Sequence, residues 1–291
     1  MIFRKLSSMR DIALSSGIAA GLLTSGGVAL AEGAGEGHAV PGQMGLQRGI
    51  TEIAHEMHWF HDQLLLPIIT IICLFVLGLL VWVVLKFNEK ANPTPSRTTH
   101  NSLLEVAWTV VPVLILVVIA IPSFRLLTKQ LVLPPADITM KVTGKQWYWT
   151  YEYPQDQGGG FSFDSLLKPE ADLKPGDIWL LSVDNEAVIP VGKTVRLQVT
   201  AADVIHSFVV QSFGARIDAV PGRLNETWFK PEKEGVYYGQ CSKLCGKDHA
   251  FMPIAFRVVS EQDYAAWLAD AKKKFASDPA PVTVAAAEGA H

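Results

Sequence analysis

Two stretches of this chain are poorly suited to water. "LLLPIITIICLFVLGLLVWVVL", Leu64 to Leu85, carries no charge, and "VAWTVVPVLILVVIAIPSFRLL", starting at Val106, is uncharged until Arg125. A helix needs about 20 apolar residues to cross the hydrocarbon core of a bilayer, and both runs meet that length. Inside a bilayer the backbone must satisfy its own hydrogen bonds, so a helix is the form such runs take, and Pro67, Pro112 and Pro122 are tolerated there. The overall composition agrees, at 49% hydrophobic and 18% charged, with a mean hydropathy of +0.24. That is too apolar for an ordinary soluble protein. A transmembrane hairpin over residues 51–130 is expected, with helices at about 64–85 and 103–125 and a connecting loop at 86–102. Cys73 falls mid-helix and reads as a packing residue.

Charge orients the hairpin. The loop "KFNEKANPTPSRTTHNS" sets Lys86, Lys90 and Arg97 against Glu89. Positive residues prefer the cytoplasm, so the loop is expected inside and both chain ends outside. The N-terminus predicts the same orientation. Arg4, Lys5 and Arg10 precede an apolar, small-residue run that ends at Ala29-Leu30-Ala31, the pattern of a cleaved signal peptide over residues 1–31. A short N-terminal membrane anchor is the alternative. The Gly-rich segment that follows, residues 32–50, is expected to be flexible.

Beyond Ile138 the pattern changes to short alternating runs. "TVRLQVT" puts Val195, Leu197 and Val199 on one face, and "ITMKV", "WLLSV", "HSFVV", "GVYYG" and "PIAFRVV" are further strand candidates. Turn signals such as Pro175-Gly176, Pro221-Gly222 and Glu234-Gly235 separate them. Strands of this length and spacing predict a β-sandwich or barrel over residues 136–260. The segment 261–276 has helical periodicity, with Tyr264, Trp267 and Leu268 on one side, and residues 277–291 read as a disordered tail. A formal net charge of −3 gives no support to nucleic-acid binding.

One loop concentrates the chemistry. In "GQCSKLCGKDHAFMP", Cys241, Cys245, His249 and Met252 are four potential metal ligands on the last inter-strand segment. Thiolate, imidazole and thioether together favour copper. Zinc accepts two cysteines and two histidines but has no use for the methionine, and a mononuclear blue-copper site needs one thiolate rather than two. The second thiolate makes sense if two copper ions share both sulfurs. A second imidazole must then come from elsewhere, and His206 in "DVIHSFVV" is the best candidate. A disulfide in an export compartment is the competing reading, although three cysteines make a disulfide framework unattractive.

These residues carry a specific resemblance. C-S-x-L-C-G-x-x-H-x-x-M-P with an upstream D-V-x-H-S resembles subunit II of haem–copper cytochrome c oxidases at its dinuclear copper centre, CuA. The runs "GKQWYWTYEYP", "DAVPGRLNETWF" and "VYYGQC" match as well, and the likeness covers roughly residues 45–275. It implies a membrane-anchored all-β protein: a two-helix transmembrane hairpin, a cupredoxin-like β-barrel and a short C-terminal helix. It implies a multi-pass protein of the bacterial inner membrane, with the copper domain and both termini on the periplasmic side.

The resemblance also implies roles. Cys241 and Cys245 resemble the bridging thiolates, His206 and His249 the terminal imidazoles, and Met252 a weak thioether ligand. At position 243 the family usually has Glu, whose main-chain carbonyl is a weak copper ligand and whose carboxylate reaches magnesium at the boundary with subunit I. Lys243 keeps the carbonyl, but an ammonium cannot bind a cation, which puts the magnesium contribution in doubt and frees Lys243 to pair with a carboxylate. Trp147 resembles the tryptophan through which electrons arrive, while Tyr148, Trp149 and Tyr151 read as packing. Glu152, Asp184 and Asp203 match docking positions for basic cytochrome c. Residues 136–260 hold 15 acidic and 13 basic side chains, so any acidic patch must be local. Glu105, at the start of the second membrane helix, resembles the cytoplasmic entrance of a proton pathway.

The implied function is electron acceptance from cytochrome c and delivery to haem in subunit I, where oxygen is reduced with proton pumping. The haems and CuB belong to subunit I; subunit III and the bilayer are further partners. A quinol oxidase subunit II lacks the ligand set that this chain retains. A copper-delivery module has no need of the hairpin, and a nitrous oxide reductase does not share it.

Overall fold

The structure, a computed structural model, describes residues 37–275. The expected signal peptide at 1–31 and the tail at 277–291 lie outside the described residues. Helix α1 runs over Glu52–Lys86 and helix α2 over Ser102–Leu131. Both are long and apolar enough to cross a membrane, and their most apolar windows bury none of their residues within the chain. Surface of that kind needs a solvent of hydrocarbon or another subunit to cover it.

Both helices exceed the expected bounds, for reasons that hydropathy does not register. Thr51 caps α1, its hydroxyl accepting from the Ala54 amide and donating to the Phe213 carbonyl. The helix therefore begins on the β-domain, with Ile53 and Ala54 buried there, and enters the apolar run only after a wide π-turn at Phe60–Leu65. Helix α2, capped by Asn101, passes Arg125 and ends where Lys129 meets Glu52 and Glu56 of α1. The Trp228 indole donates to the Lys129 carbonyl at 3.2 Å, tying the C-terminal end of α2 to the β-domain.

Residues 37–50 also correct an expectation. The segment is held along the β-domain rather than loose: the Tyr238 amide donates to Gly37 O, the Ile50 amide to Ser212 O, and the Glu232 amide to Ile50 O. Ile50 joins the core.

Ten strands follow: β1 Ile138–Lys145, β2 Tyr148–Tyr153, β3 Phe161–Ser165, β4 Ala187–Pro190, β5 Val195–Ala201, β6 His206–Val210, β7 Ala215–Ala219, β8 Asn225–Phe229, β9 Gly235–Cys241 and β10 Pro253–Val259. They form two five-stranded sheets, ordered β3-β2-β1-β5-β8 and β4-β10-β9-β6-β7. The β1–β5 and β4–β10 pairs are parallel and the others antiparallel. Alternation sets the inner faces: Val195, Leu197 and Val199 are fully buried, as their spacing predicts. Between the sheets Trp149 meets Phe208 edge to face at 5.4 Å, and Tyr151 meets Phe256 at 5.7 Å. Burying each such ring contributes about 1.5–3 kcal/mol.

"WLLSV" is not a strand. Its run folds as a turn, with the Ser182 hydroxyl accepting from the Ile178 amide and the Ser182 amide donating to Ile178 O. Leu180 has φ 68°. Only Val183 makes a bridge, to Leu167. Apolar content imitated a strand where local side-chain bonding won. Helix α3, Glu261–Phe275, packs Trp267 against Tyr153 at 5.1 Å and lies against β3 and β4, an edge strand of each sheet.

Candidate metal centre

The pairing of β6 with β9 builds the centre. Phe208 faces Cys241 in that register, so His206, which opens β6, lies beside the end of β9. The loop after β9 then turns back on itself, carrying Cys245, His249 and Met252 before β10 begins. Ligand atoms of His206, Cys241 and Cys245 all lie within 4.8 Å of one another. Cys241 Sγ is 3.9 Å from Cys245 Sγ and 4.0 Å from His206 Nδ1. Cys245 Sγ is 3.5 Å from both His249 Nδ1 and Met252 Sδ. The Lys243 carbonyl oxygen stands 3.3 Å from Cys241 Sγ. Both thiols are free, and their separation is far from the roughly 2.05 Å of a disulfide. A metal ion with metal–sulfur bonds of about 2.3 Å spans such a gap.

The surroundings prepare these donors. His206 is fully buried, and its Nε2 lies 2.9 Å from Asp203 Oδ1, which leaves Nδ1 turned toward Cys241. Burial opposes the Asp203 charge, but His206 and the Val204 and Gln146 amides outweigh it and hold the carboxyl below its usual range. Burial likewise opposes ionisation of Cys241, yet His206 and the main chain of Ser207 bring its pKa down. Burial and the Cys241 charge push Cys245 up. Two thiolates this close repel, and a cation between them relieves that repulsion.

Trp147 belongs to the same cluster. Its indole N–H donates to the Cys245 carbonyl at 3.3 Å, and the Gln146 side-chain amide donates to that oxygen at 2.8 Å. The ring remains half-buried at the surface, in the turn between β1 and β2. Gly246 faces it with φ +130°, where a Cβ would come within 2.9 Å of the ring.

Other expected residues lie apart or are already engaged. Glu105 sits in the first turn of α2, roughly 40 Å along the helix from its C-terminal end at 1.5 Å per residue. Glu152 is paired with Lys141 at 3.0 Å. Asp184 accepts from the Leu166 and Asn185 amides. Lys243 pairs with Asp218 at 3.2 Å.

Sequence reasoning missed the supporting residues. Gln146 bonds both Asp203 and the Cys245 carbonyl. The Trp149 indole donates to the Met252 carbonyl at 3.2 Å. A Cβ on Gly144 would sit 3.0 Å from His206 Cδ2. Only Asp203, three residues before His206, is close to the site in sequence, and the resemblance implies docking for it rather than support of His206.

The comparisons with known proteins converge on one family. Residues 39–126 match the family described as cytochrome c oxidase subunit II, transmembrane domain, and residues 138–259 match its periplasmic domain. A probable cytochrome c oxidase subunit 2 of Rickettsia bellii is 54% identical over 234 residues, covering 80% of this chain and 86% of the relative. The chain belongs to the cytochrome c oxidase subunit II family. A second member, from Cereibacter sphaeroides, is 46% identical over 271 residues, covering 87% of this chain and 89% of that one. Among solved structures, the periplasmic domain of subunit II of cytochrome oxidase from Bradyrhizobium japonicum is 60% identical, covering 50% of this chain and 99% of that domain, with a TM-score of 0.46.

A cytochrome c oxidase subunit II is a membrane-held part of a haem–copper terminal oxidase, an oxidoreductase. Its role is to accept electrons from cytochrome c on their way to oxygen. The soft-donor cluster is the part of this chain suited to that task, since thiolate and imidazole donors gathered this closely favour copper.

Proposed function

We propose that His206, Cys241, Cys245, His249 and Met252, with the main-chain carbonyl of Lys243, hold a pair of copper ions as the electron-accepting centre of the oxidase. The observation that carries this reading is the 3.9 Å approach of the two buried, unbridged thiols, with an imidazole on each flank. A copper pair held by these residues would supply one-electron transfer. The protein's part is to keep the donors fixed, dry and fully used, leaving no position open for a substrate. Asp203 orients His206, Trp149 anchors the Met252 main chain, and Gln146 and Trp147 share the Cys245 carbonyl.

Trp147 is the surface contact through which electrons arrive from cytochrome c. The bond from its indole to the main chain of a copper ligand supports that role. Glu152, Asp184 and Asp203 contribute to docking with part of their charge already shared with neighbours. The Lys243–Asp218 pair supports a subunit that adds no magnesium ligand from position 243.

The loop with Lys86, Lys90 and Arg97 lies on the cytoplasmic side of the bacterial inner membrane and the β-domain on the periplasmic side. Glu105 then stands at the cytoplasmic start of α2, where it admits protons to subunit I. Subunits I and III cover the exposed apolar faces of α1 and α2.

Electron paramagnetic resonance of the purified oxidase tests the centre. Hyperfine splitting from two equivalent copper nuclei is expected, and Cys245→Ser should abolish it. Trp147→Ala should keep the signal but slow cytochrome c oxidation, and Glu105→Gln should lower turnover and pumping while leaving the copper spectrum alone. A single-copper spectrum would overturn the dinuclear assignment.

A further inference from the structure

We infer that Gln146 is a positioning residue for electron arrival: its side-chain amide fixes the Cys245 carbonyl that receives the Trp147 indole. The inference rests on Trp147 being the point where electrons arrive. Strands β1 and β2 are joined by a turn of two residues, since Lys145 pairs with Tyr148, and those two are Gln146 and Trp147. Both reach the same atom. The Gln146 side-chain amide donates to the Cys245 carbonyl oxygen at 2.8 Å, and the Trp147 indole donates to it at 3.3 Å. A carbonyl oxygen has two lone pairs and accepts both bonds.

The two bonds are unequal. The amide bond is short, whereas the indole bond lies just beyond the roughly 2.7–3.2 Å of a well-made N–H···O contact. The shorter bond therefore directs the carbonyl. Sterics do not, because that carbonyl belongs to the peptide leading into Gly246, which has φ +130° and no Cβ to restrict it. The same glycine makes room for the pair: a Cβ there would lie 2.9 Å from Trp147 Cζ2 and 3.1 Å from Gln146 Nε2. Lys247 offers the ring only an exposed side chain, with Nζ 5.6 Å from the ring centroid.

The main chain of Gln146 makes a second tie. Its N–H donates to Asp203 Oδ2 at 2.7 Å, while Asp203 Oδ1 holds His206. One residue thus links the arm of the centre that carries His206 to the arm that carries Cys245. Substitution at position 146 removes the side-chain bond and keeps the main-chain one, so the first can be tested alone. Gln146 is exposed, and its side chain is no part of the core.

The test uses the intact oxidase with Gln146→Met, which keeps the length and the charge but lacks the donor. Electron arrival is timed in a single turnover at saturating reduced cytochrome c, so that affinity does not enter. A hydrogen bond of ordinary net strength shifts the population of the bonded turn by up to about tenfold, and the arrival rate should fall by about two- to tenfold. The dissociation constant for cytochrome c and the copper spectrum should keep their native values. In a Trp147→Phe background, which lacks the indole N–H, Gln146→Met should cause no further slowing.

An unchanged arrival rate would overturn the inference. So would a weaker dissociation constant with a native saturating rate, which would make Gln146 a docking residue, or an altered copper spectrum, which would make it a support of the metal. Equal slowing in the Trp147→Phe background would overturn it too, because the effect would then bypass the indole. If electron arrival is unaffected by Trp147→Ala, the reading of Trp147 falls and this inference with it. If Trp147→Ala slows arrival while Gln146→Met does not, only the inference falls.

Discussion

Asp203 holds His206 from behind, with Oδ1 2.9 Å from Nε2, so that Nδ1 is the nitrogen presented to Cys241. A carboxylate on the far nitrogen fixes the tautomer and the ring plane of a metal-binding histidine. Asp203 keeps its charge at neutral pH because its bonds to His206 and two main-chain amides outweigh its burial.

Asp203→Ala should therefore weaken copper binding by about 10- to 100-fold, the usual cost of removing such a support. Competition with a chelator of known affinity measures the loss. Unchanged affinity would mean that packing alone orients His206.

Gly144→Ala should have a similar effect by a steric route. The added Cβ would lie 3.0 Å from His206 Cδ2 and 3.1 Å from Trp149 Cζ3. Both rings are fully buried and cannot swing aside. Displacement of His206 should broaden or shift the copper spectrum while the fold persists; a native spectrum would show that the sheet relaxes instead.

The two tryptophans of the same segment should separate cleanly. Trp149 is fully buried against Phe208 and His206, so Trp149→Ala should cost about 3–5 kcal/mol of stability. Trp147 is half-buried on a turn, so Trp147→Ala should cost about 1 kcal/mol, near the centre of the range for single substitutions. Equilibrium unfolding of the two variants, followed by tyrosine and tryptophan fluorescence, checks the difference. Comparable losses would contradict the division.

Acid sensitivity should trace in part to Glu226. Burial opposes its charge, but Arg196 at 2.6 Å and Gln198 at 2.9 Å outweigh that and hold its pKa below 4.5. A folded-state pKa that is depressed adds stability fully present above 4.5 and lost as pH falls through the lower folded value. Glu226→Gln should thus be less stable than the native chain at neutral pH, by about 1 kcal/mol. The two should converge in strong acid. Melting curves recorded across this range test the sign; a gap that widens in acid would refute it.

Much of the molecule was legible without coordinates because its signals are local. The apolar runs announce α1 and α2, since hydrocarbon length is a property of consecutive residues. Four of the soft donors lie within twelve positions, and alternation exposed the inner face of β5. The polar start of α1 at Glu52 and the end of α2 at Leu131 were not legible, because their capping and ion pairs involve residues remote in sequence. The turn at "WLLSV" shows the converse failure, where apolar content suggested a strand and the Ser182 hydroxyl settled the backbone otherwise.

By itself, then, the chain's order of residues determined a membrane hairpin, a β-domain and a loop rich in soft metal donors, since each depends on spacing along the backbone. Only the tertiary structure decided which nitrogen of His206 faces the sulfurs, that Asp203 serves that histidine, and that Lys247 stands over Trp147. Those relations join residues from different strands and loops. Hydrogen bonds and charges act over a few ångströms of space, and no pattern along the chain carries that distance.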